Sequence, residues 1–193
     1  MTSRLRIRWF GQSAFLISGG QAVFVDPFGG SPHILRSTAG TFGSPIGEVV
    51  AVASEHDDAA GTVRGPNTIF CFALGGLHLC HFGDFGQAGL RAEQQRAIGV
   101  VDVLFLPVGG GPTTGGAPAA AVVRALRPRL VVPMHFRTEA VNFLELPDAF
   151  LDALGARVER IPESEFEPEQ LLGTADEPTV ALLSAPIERS STR

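Results

Sequence analysis

Residues 66–84, PNTIFCFALGGLHLCHFGD, decide how this chain folds. Two apolar runs, 68–74 and 77–82, flank Gly75-Gly76, and a glycine pair between such runs is a strong signal for a two-residue β-hairpin. The second run ends in His81-Phe82-Gly83-Asp84, which leaves an imidazole and a carboxylate at a strand end. Upstream, residues 5–10, 14–17 and 22–25 read as short strands punctuated by Gly11 and Gly19-Gly20, and 49–53 as a buried strand. Between them, residues 29–47 are rich in Gly, Ser, Pro and Thr and show little periodicity. Downstream the pattern becomes βαβ: a polar helix over 91–98, a strand over 101–108, an Ala-rich helix over 118–126 and a strand over 130–134. A helix over 147–154 follows, with Pro147 in its first turn and Gly155 at its end, and then strands over 157–161 and 179–184. Strands first, then strands alternating with helices, predict an α/β (α+β) sandwich of two mixed sheets with helices on its outer faces. The reading gives a single domain over 1–185 and a frayed tail over 186–193.

Composition narrows the functional classes. The chain has 193 residues, 45% hydrophobic and 18% charged, which suits one folded domain and is too apolar for a disordered chain. Its formal net charge is −5 and it has no basic run, so neither nucleic acid nor an anionic membrane is an expected partner. No segment approaches the ~20 apolar residues that span a bilayer. Arg4, Arg6 and Arg8 alternate with Leu5 and Ile7 as in a strand, unlike the charged end of an export signal. Cys71 and Cys80 sit in neighbouring apolar runs and read as buried thiols, not as a disulfide framework or metal knuckle. A reducing cytoplasm is the expected location.

Four short clusters put acids or histidines at strand ends: Val25-Asp26-Pro27, Glu55-His56-Asp57-Asp58, His81-Phe82-Gly83-Asp84 and Pro133-Met134-His135. Imidazole and carboxylate together suit zinc, manganese or iron, which accept neutral nitrogen and anionic oxygen in tetrahedral or octahedral geometry. A single histidine at a strand end is more often structural, so the weight lies on the combination. His33 and His78 read as surface or structural. The glycines of 109–116 bracket Thr113-Thr114, a pattern equally suited to a loop beside a site and to a flexible strand-to-helix connection. There is no phosphate-cradling Gly-Lys-Ser/Thr loop, and neither Ser13 nor Ser54 lies in a nucleophile elbow.

Five motifs in order resemble a known family: 7–16 (IRWFGQSAFL) with 23–28 (VFVDPF), His56-Asp57-Asp58 with 64–70 (RGPNTIF), 80–86 (CHFGDFG), 103–110 (VLFLPVGG) and 128–136 (PRLVVPMHF). They are similar to the metallo-β-lactamase-fold hydrolases related to ascorbate-6-phosphate lactonase, and the likeness runs from about Leu5 to Thr138. The resemblance implies an αββα sandwich and a metal centre built from an HxHxDH motif, a later histidine, a bridging aspartate and a final histidine. Residue by residue, the later histidine corresponds to His56, the bridging carboxylate to Asp84 and the final histidine to His135. The HxHxDH motif has no counterpart here, because the chain passes from Phe28 through the 29–47 segment almost directly to His56. An early family histidine is replaced by Gln12.

A shortened fold with a degenerate site is therefore expected, produced by an internal deletion. His56 and Asp84 are the expected catalytic residues. His56, Asp84 and His135 are the expected metal ligands, with Asp26 and Asp57 as additional candidates. The expected site is a metal-free polar cluster in which His81, His135 or Arg64 meets the Asp84 charge. Its alternative is a site with one divalent ion, zinc, manganese or iron, as cofactor. The implied activity is hydrolysis of a lactone, ester or phosphoester small molecule by metal-activated water. The alternative is an inactive relative that binds a ligand or forms oligomers. A deletion within a sandwich also leaves an open sheet edge, from which a homo-oligomer is expected.

Overall fold

The computed structural model describes residues 4–25 and 39–185. Its N-terminal part is the expected meander: β1 (Arg6–Trp9), β2 (Phe15–Gly19) and β3 (Gln21–Val25) pair antiparallel, with Trp9 opposite Phe15 and Ile17 opposite Val23. Alternation sets their faces. Ile7, Trp9, Phe15 and Ile17 are buried, whereas Arg6 and Arg8 are exposed on the other face.

The large sheet begins with β4 (Gly40–Ser44), β5 (Gly47–Glu55), β6 (Pro66–Leu74) and β7 (Leu77–His81), an antiparallel series. It continues through α1 (Ala92–Ile98), β8 (Val103–Pro107), α2 (Gly116–Leu126), β9 (Leu130–Met134), α3 (Asp148–Leu154) and β10 (Arg157–Ile161). A two-residue strand β11 (Glu165–Phe166) returns to pair with β1, and β12 (Thr179–Leu183) closes the series between β9 and β10. The strand orders are β11-β1-β2-β3 and β10-β12-β9-β8-β7-β6-β5-β4. From β7 to β8 to β9 the strands run parallel, and β12 and β10 extend the parallel set. Successive crossovers step the same way across the sheet, so right-handed connections place α1, α2 and α3 on one outer face. In accord with this, α2 packs against α3 and α1 lies on β5.

The other outer face, with Arg6 and Arg8, carries no helix among the described residues, so one of the two helical layers of an αββα sandwich is not seen there. Strand β4 falls in the segment read as loose. Its Gly, Thr and Ser residues carry no apolar alternation, and it is an edge strand held by main-chain pairing to β5 across the Pro45-Ile46 turn. The hairpin at Gly75-Gly76 forms as expected, both glycines having positive φ.

The sheets meet through aromatic rings. Phe15 lies 4.8 Å from Phe105 of β8, and Trp9 lies 5.3 Å from Phe136, centroid to centroid. Phe105 is fully buried, so Phe105→Ala should cost about 3–5 kcal/mol of stability through lost burial and the cavity left behind. Urea unfolding measures this; a loss under about 1 kcal/mol would show that the ring is not part of the inter-sheet core.

Candidate metal centre

Because β6 is antiparallel to both β5 and β7, strands β5, β7, β8 and β9 all point the same way and end at one rim of the large sheet. Immediately past those ends come His56, Asp84, Gly109 and His135. Two glycines let these loops touch. The Gly86 N–H donates to the Glu55 carbonyl at 2.9 Å, and a Cβ on Gly86 would fall 2.4 Å from the His56 carbonyl carbon. The Gly109 N–H donates to the His135 carbonyl at 3.1 Å, and a Cβ there would fall 2.3 Å from that oxygen. No larger residue fits at either place without moving a histidine's backbone.

Asp84 is held through its backbone. Its N–H donates to Asn67 Oδ1 at 3.0 Å, while Asn67 Nδ2 donates to the Phe82 carbonyl and to Ser54 Oγ, each at 2.8 Å. The carboxylate then stands between two imidazoles: Oδ2 is 3.8 Å from His56 Nε2, and Oδ1 is 3.6 Å from His135 Nε2. Both separations exceed the ~2.7–3.2 Å of a hydrogen bond. They are nearer the ~3.3 Å that separates two donors each ~2.0–2.1 Å from one tetrahedral ion.

His135 itself has positive φ, its N–H donates to the Gln12 carbonyl at 3.2 Å, and its Nδ1 lies 3.3 Å from Thr113 Oγ1. That same Gln12 carbonyl accepts the Trp9 indole N–H at 2.9 Å, so the β1–β2 turn is bound to the site.

Among the described residues, the buried side-chain nitrogen and oxygen atoms without a hydrogen-bond partner are Gln12 Oε1, His56 Nε2, Asp84 Oδ1 and Thr114 Oγ1. All four belong to this one rim; Thr114 is tied to it by its N–H, which donates to the Phe85 carbonyl at 2.8 Å. An unpartnered buried polar atom is costly, by about 1–3 kcal/mol, so four together mark a place built to receive a charged or polar group. The donor types, two imidazoles and a carboxylate, suit a divalent ion. Each imidazole faces a different oxygen of Asp84, and among the described residues no group of three or more His, Cys, Asp or Glu side chains is gathered around a single point.

The other sequence candidates separate cleanly. Asp57, expected as an extra ligand, has both carboxylate oxygens engaged by backbone: Oδ1 accepts from Ala59 and Gly61, Oδ2 from Val63 and Arg64. It staples the 57–65 loop, and the Arg64 N–H, followed by those of Ala59, Gly61 and Val63, holds its pKa below the ordinary range against the opposing effect of desolvation. Asp58 accepts the Ala88 N–H and so ties that loop to the segment after Asp84. Asp26 and His33 lie outside the described residues.

His81 turns away from Asp84. Its Nδ1 accepts the Gly83 N–H at 3.1 Å, which leaves the proton on Nε2 to be donated to the Ser13 carbonyl at 2.8 Å. The imidazoles beside Asp84 are thus His56 and His135, not His81; Arg64 serves through its backbone, and His78 is exposed beside Asp102. Asn67 and Gly86 were not singled out by sequence reasoning, whereas Thr114 lies in the glycine loop that reads equally as a loop beside a site. Asn67 sits inside the 64–70 motif, whose recurrence was the available signal.

A cleft of about 690 Å³ lies elsewhere, lined by Arg124, Arg127, Arg157 and residues 170–179. It sits where β12 begins, at the opposite end of the parallel strands, and its arginines are engaged: Arg127 pairs with Asp176, Arg157 pairs with Glu159, and Arg124 donates to the Ala153 carbonyl.

A carboxylate whose folded pKa lies below its unfolded value stabilises the fold above the unfolded value, and that contribution disappears as pH falls through the folded one. For Asp57 the loop contribution should be complete above pH ~4 and vanish in stronger acid. Amide resonances of Ala59, Gly61, Val63 and Arg64 should therefore titrate together below the usual aspartate range, and should cease to do so in Asp57→Asn. Independent titration of the four would rule out the staple.

The beta-lactamase superfamily domain model matches residues 30–135 of this chain, more than half of its length. A metal-dependent hydrolase of Thermococcus kodakarensis is 25% identical over 223 residues, covering 84% of this chain and 99% of that protein. Another metal-dependent hydrolase, from Pyrococcus furiosus, is 37% identical over 95 residues, 47% of this chain and 41% of its own length. Among solved structures, a Thermotoga maritima protein described as a Zn-dependent hydrolase of the metallo-β-lactamase superfamily superposes with a TM-score of 0.77 at 26% identity, covering 94% of this chain and all of that one. A metallo hydrolase of Ignicoccus hospitalis shares the fold, with a TM-score of 0.60 at 17% identity over 96% of this chain and 97% of that one. With the sandwich, the rim and these likenesses in agreement, the chain belongs to the metallo-β-lactamase superfamily.

Proposed function

We propose that this protein is a metal-dependent hydrolase-like member of its superfamily whose centre is reduced to a single divalent-cation position, with His56, Asp84 and His135 as the ligands. The observation that carries this reading is the set of unpartnered buried atoms at the rim, His56 Nε2 and Asp84 Oδ1 foremost. A carboxylate oxygen and an imidazole nitrogen left bare in a partly buried site ask for a cation or a proton between them. The names of the relatives, metal-dependent hydrolases from several organisms, point to the same chemistry.

A divalent ion there supplies Lewis acidity, polarising a carbonyl or phosphoryl oxygen and making water acidic enough to serve as a nucleophile near neutral pH. The chain's own groups supply orientation. Asn67 fixes the Asp84 backbone, Thr113 restrains the His135 ring, and Gln12 and Thr114 offer an amide oxygen and a hydroxyl beside them. The substrate class that fits is a lactone, ester or phosphoester, as in the lactonase-like branch that the sequence resembles.

A second reading has its own observation. The alignment with the Thermococcus protein is 223 residues long, longer than this whole chain of 193, so that relative carries residues missing here. Loss of the HxHxDH ligands would leave a fold that binds a ligand or a second copy without hydrolysis.

Metal analysis of the purified protein separates the two. Wild type loaded with zinc, manganese or iron and then desalted should retain about one equivalent, as expected for a three-ligand site. His56→Ala, Asp84→Ala and His135→Ala should each lose at least about tenfold in affinity, the order of loss seen even when only a group that hydrogen-bonds a ligand is removed. Retention by wild type together with turnover of a lactone, ester or phosphate-ester panel supports the hydrolase. Metal-free wild type after loading excludes it and leaves the inactive relative.

A further inference from the structure

The structure also places two thiols together outside the rim. Cys71 of β6 and Cys80 of β7 are direct cross-strand partners, their sulfurs are 2.8 Å apart, and both are reduced. Their position in the ladder follows from the hairpin. Leu74 and Leu77 close the two-residue turn as a hydrogen-bonded pair, so with strict alternation Ala73–His78 is non-hydrogen-bonded, Phe72–Leu79 hydrogen-bonded and Cys71–Cys80 non-hydrogen-bonded. At non-hydrogen-bonded pairs the Cα atoms approach to ~4.5 Å, inside the ~4.4–6.8 Å that a disulfide spans. Cys80 is fully buried, and burial pushes its thiol pKa well up; Cys71 is half-buried and open to a small oxidant.

We propose that Cys71 and Cys80 are a redox-active dithiol that closes to an intramolecular cross-strand disulfide when the protein meets a hydroperoxide. In the first step the Cys71 sulfur attacks the terminal peroxide oxygen: an S–O bond forms, the O–O bond breaks, and sulfur gives two electrons to the peroxide, which leaves as water or an alcohol carrying the thiol proton. In the second, the Cys80 sulfur attacks the Cys71 sulfenic sulfur. The S–S bond forms, the S–O bond breaks, and the hydroxide released takes the Cys80 proton as water. A half-exposed attacking thiol and a buried resolving thiol divide the two steps between the residues. The resulting crosslink ties β6, which carries Asn67, to β7, which leads into Asp84; each lies four residues from its cysteine.

The test uses the full-length reduced protein and a few equivalents of hydrogen peroxide. Wild type should go from two titratable thiols to none, and its digest should contain a reducible peptide joining Cys71 to Cys80, 2 Da lighter than the two reduced peptides together. Cys71→Ser should keep its Cys80 thiol under the same treatment, whereas Cys80→Ser should trap an oxygen on Cys71. Mass gains of 16 or 32 Da on wild type without the crosslinked peptide, disulfides formed only between chains, or ready oxidation of Cys80 in Cys71→Ser would each overturn the proposal. Both variants carry a near-isosteric side chain away from the rim, so their circular dichroism should match wild type and keep the readings interpretable.

Discussion

The neutral imidazole of His81 joins the parts of this molecule that must be in register. Its Nε2–H donates to Ser13 in the turn of the small sheet, its Nδ1 accepts from Gly83 in the turn before Asp84, and its ring lies against Phe15 and Phe105. One side chain thereby fixes the spacing of the two sheets and the start of the loop that presents the carboxylate. The tautomer is not free to vary: protonating Nδ1 would set two donors against each other at Gly83. A histidine that looks in sequence like a ligand is instead committed to the architecture, which leaves His56 and His135 to do the facing of Asp84.

The rim that results sets one carboxylate between two imidazoles. A carboxylate with one imidazole against each oxygen is the arrangement of a bridging ligand between two ions, yet each half here offers one nitrogen and one oxygen. The alignment with the Thermococcus relative is longer than the chain itself, so that relative carries residues missing here. The rim also leaves Gln12 Oε1 and Thr114 Oγ1 as buried polar atoms without hydrogen-bond partners. Natural proteins seldom leave such atoms bare unless something binds them.

The same loss bears on the fold. The large sheet has its parallel half with α1, α2 and α3 over it. The small sheet shows water a face of Arg6 and Arg8, with Arg6 beside Glu165 of β11. Charged side chains there suit a sheet face that, among the described residues, no α-helix covers.

The sequence by itself determined the elements and the shared end of the strands. Alternating burial in β1, the glycine pair between β6 and β7, and the unbroken apolar runs of β8 and β9 are local patterns, and each sets its strand or turn without help from distant residues. The same patterns put His56, Asp84 and His135 at strand ends. Strand β4 stayed hidden because an edge strand of Gly, Thr and Ser owes its form to hydrogen bonds with β5, which no local pattern records. Only the tertiary structure decided what each polar residue does. Asp57 and Asp84 look alike in sequence, but Asp57 meets four backbone N–H groups and Asp84 meets two imidazoles. That distinction, like the roles of Asn67, Gly86 and Gly109 and the meeting of Cys71 with Cys80, depends on which loops and strands become neighbours, and contact across the sheet is a property of the folded chain.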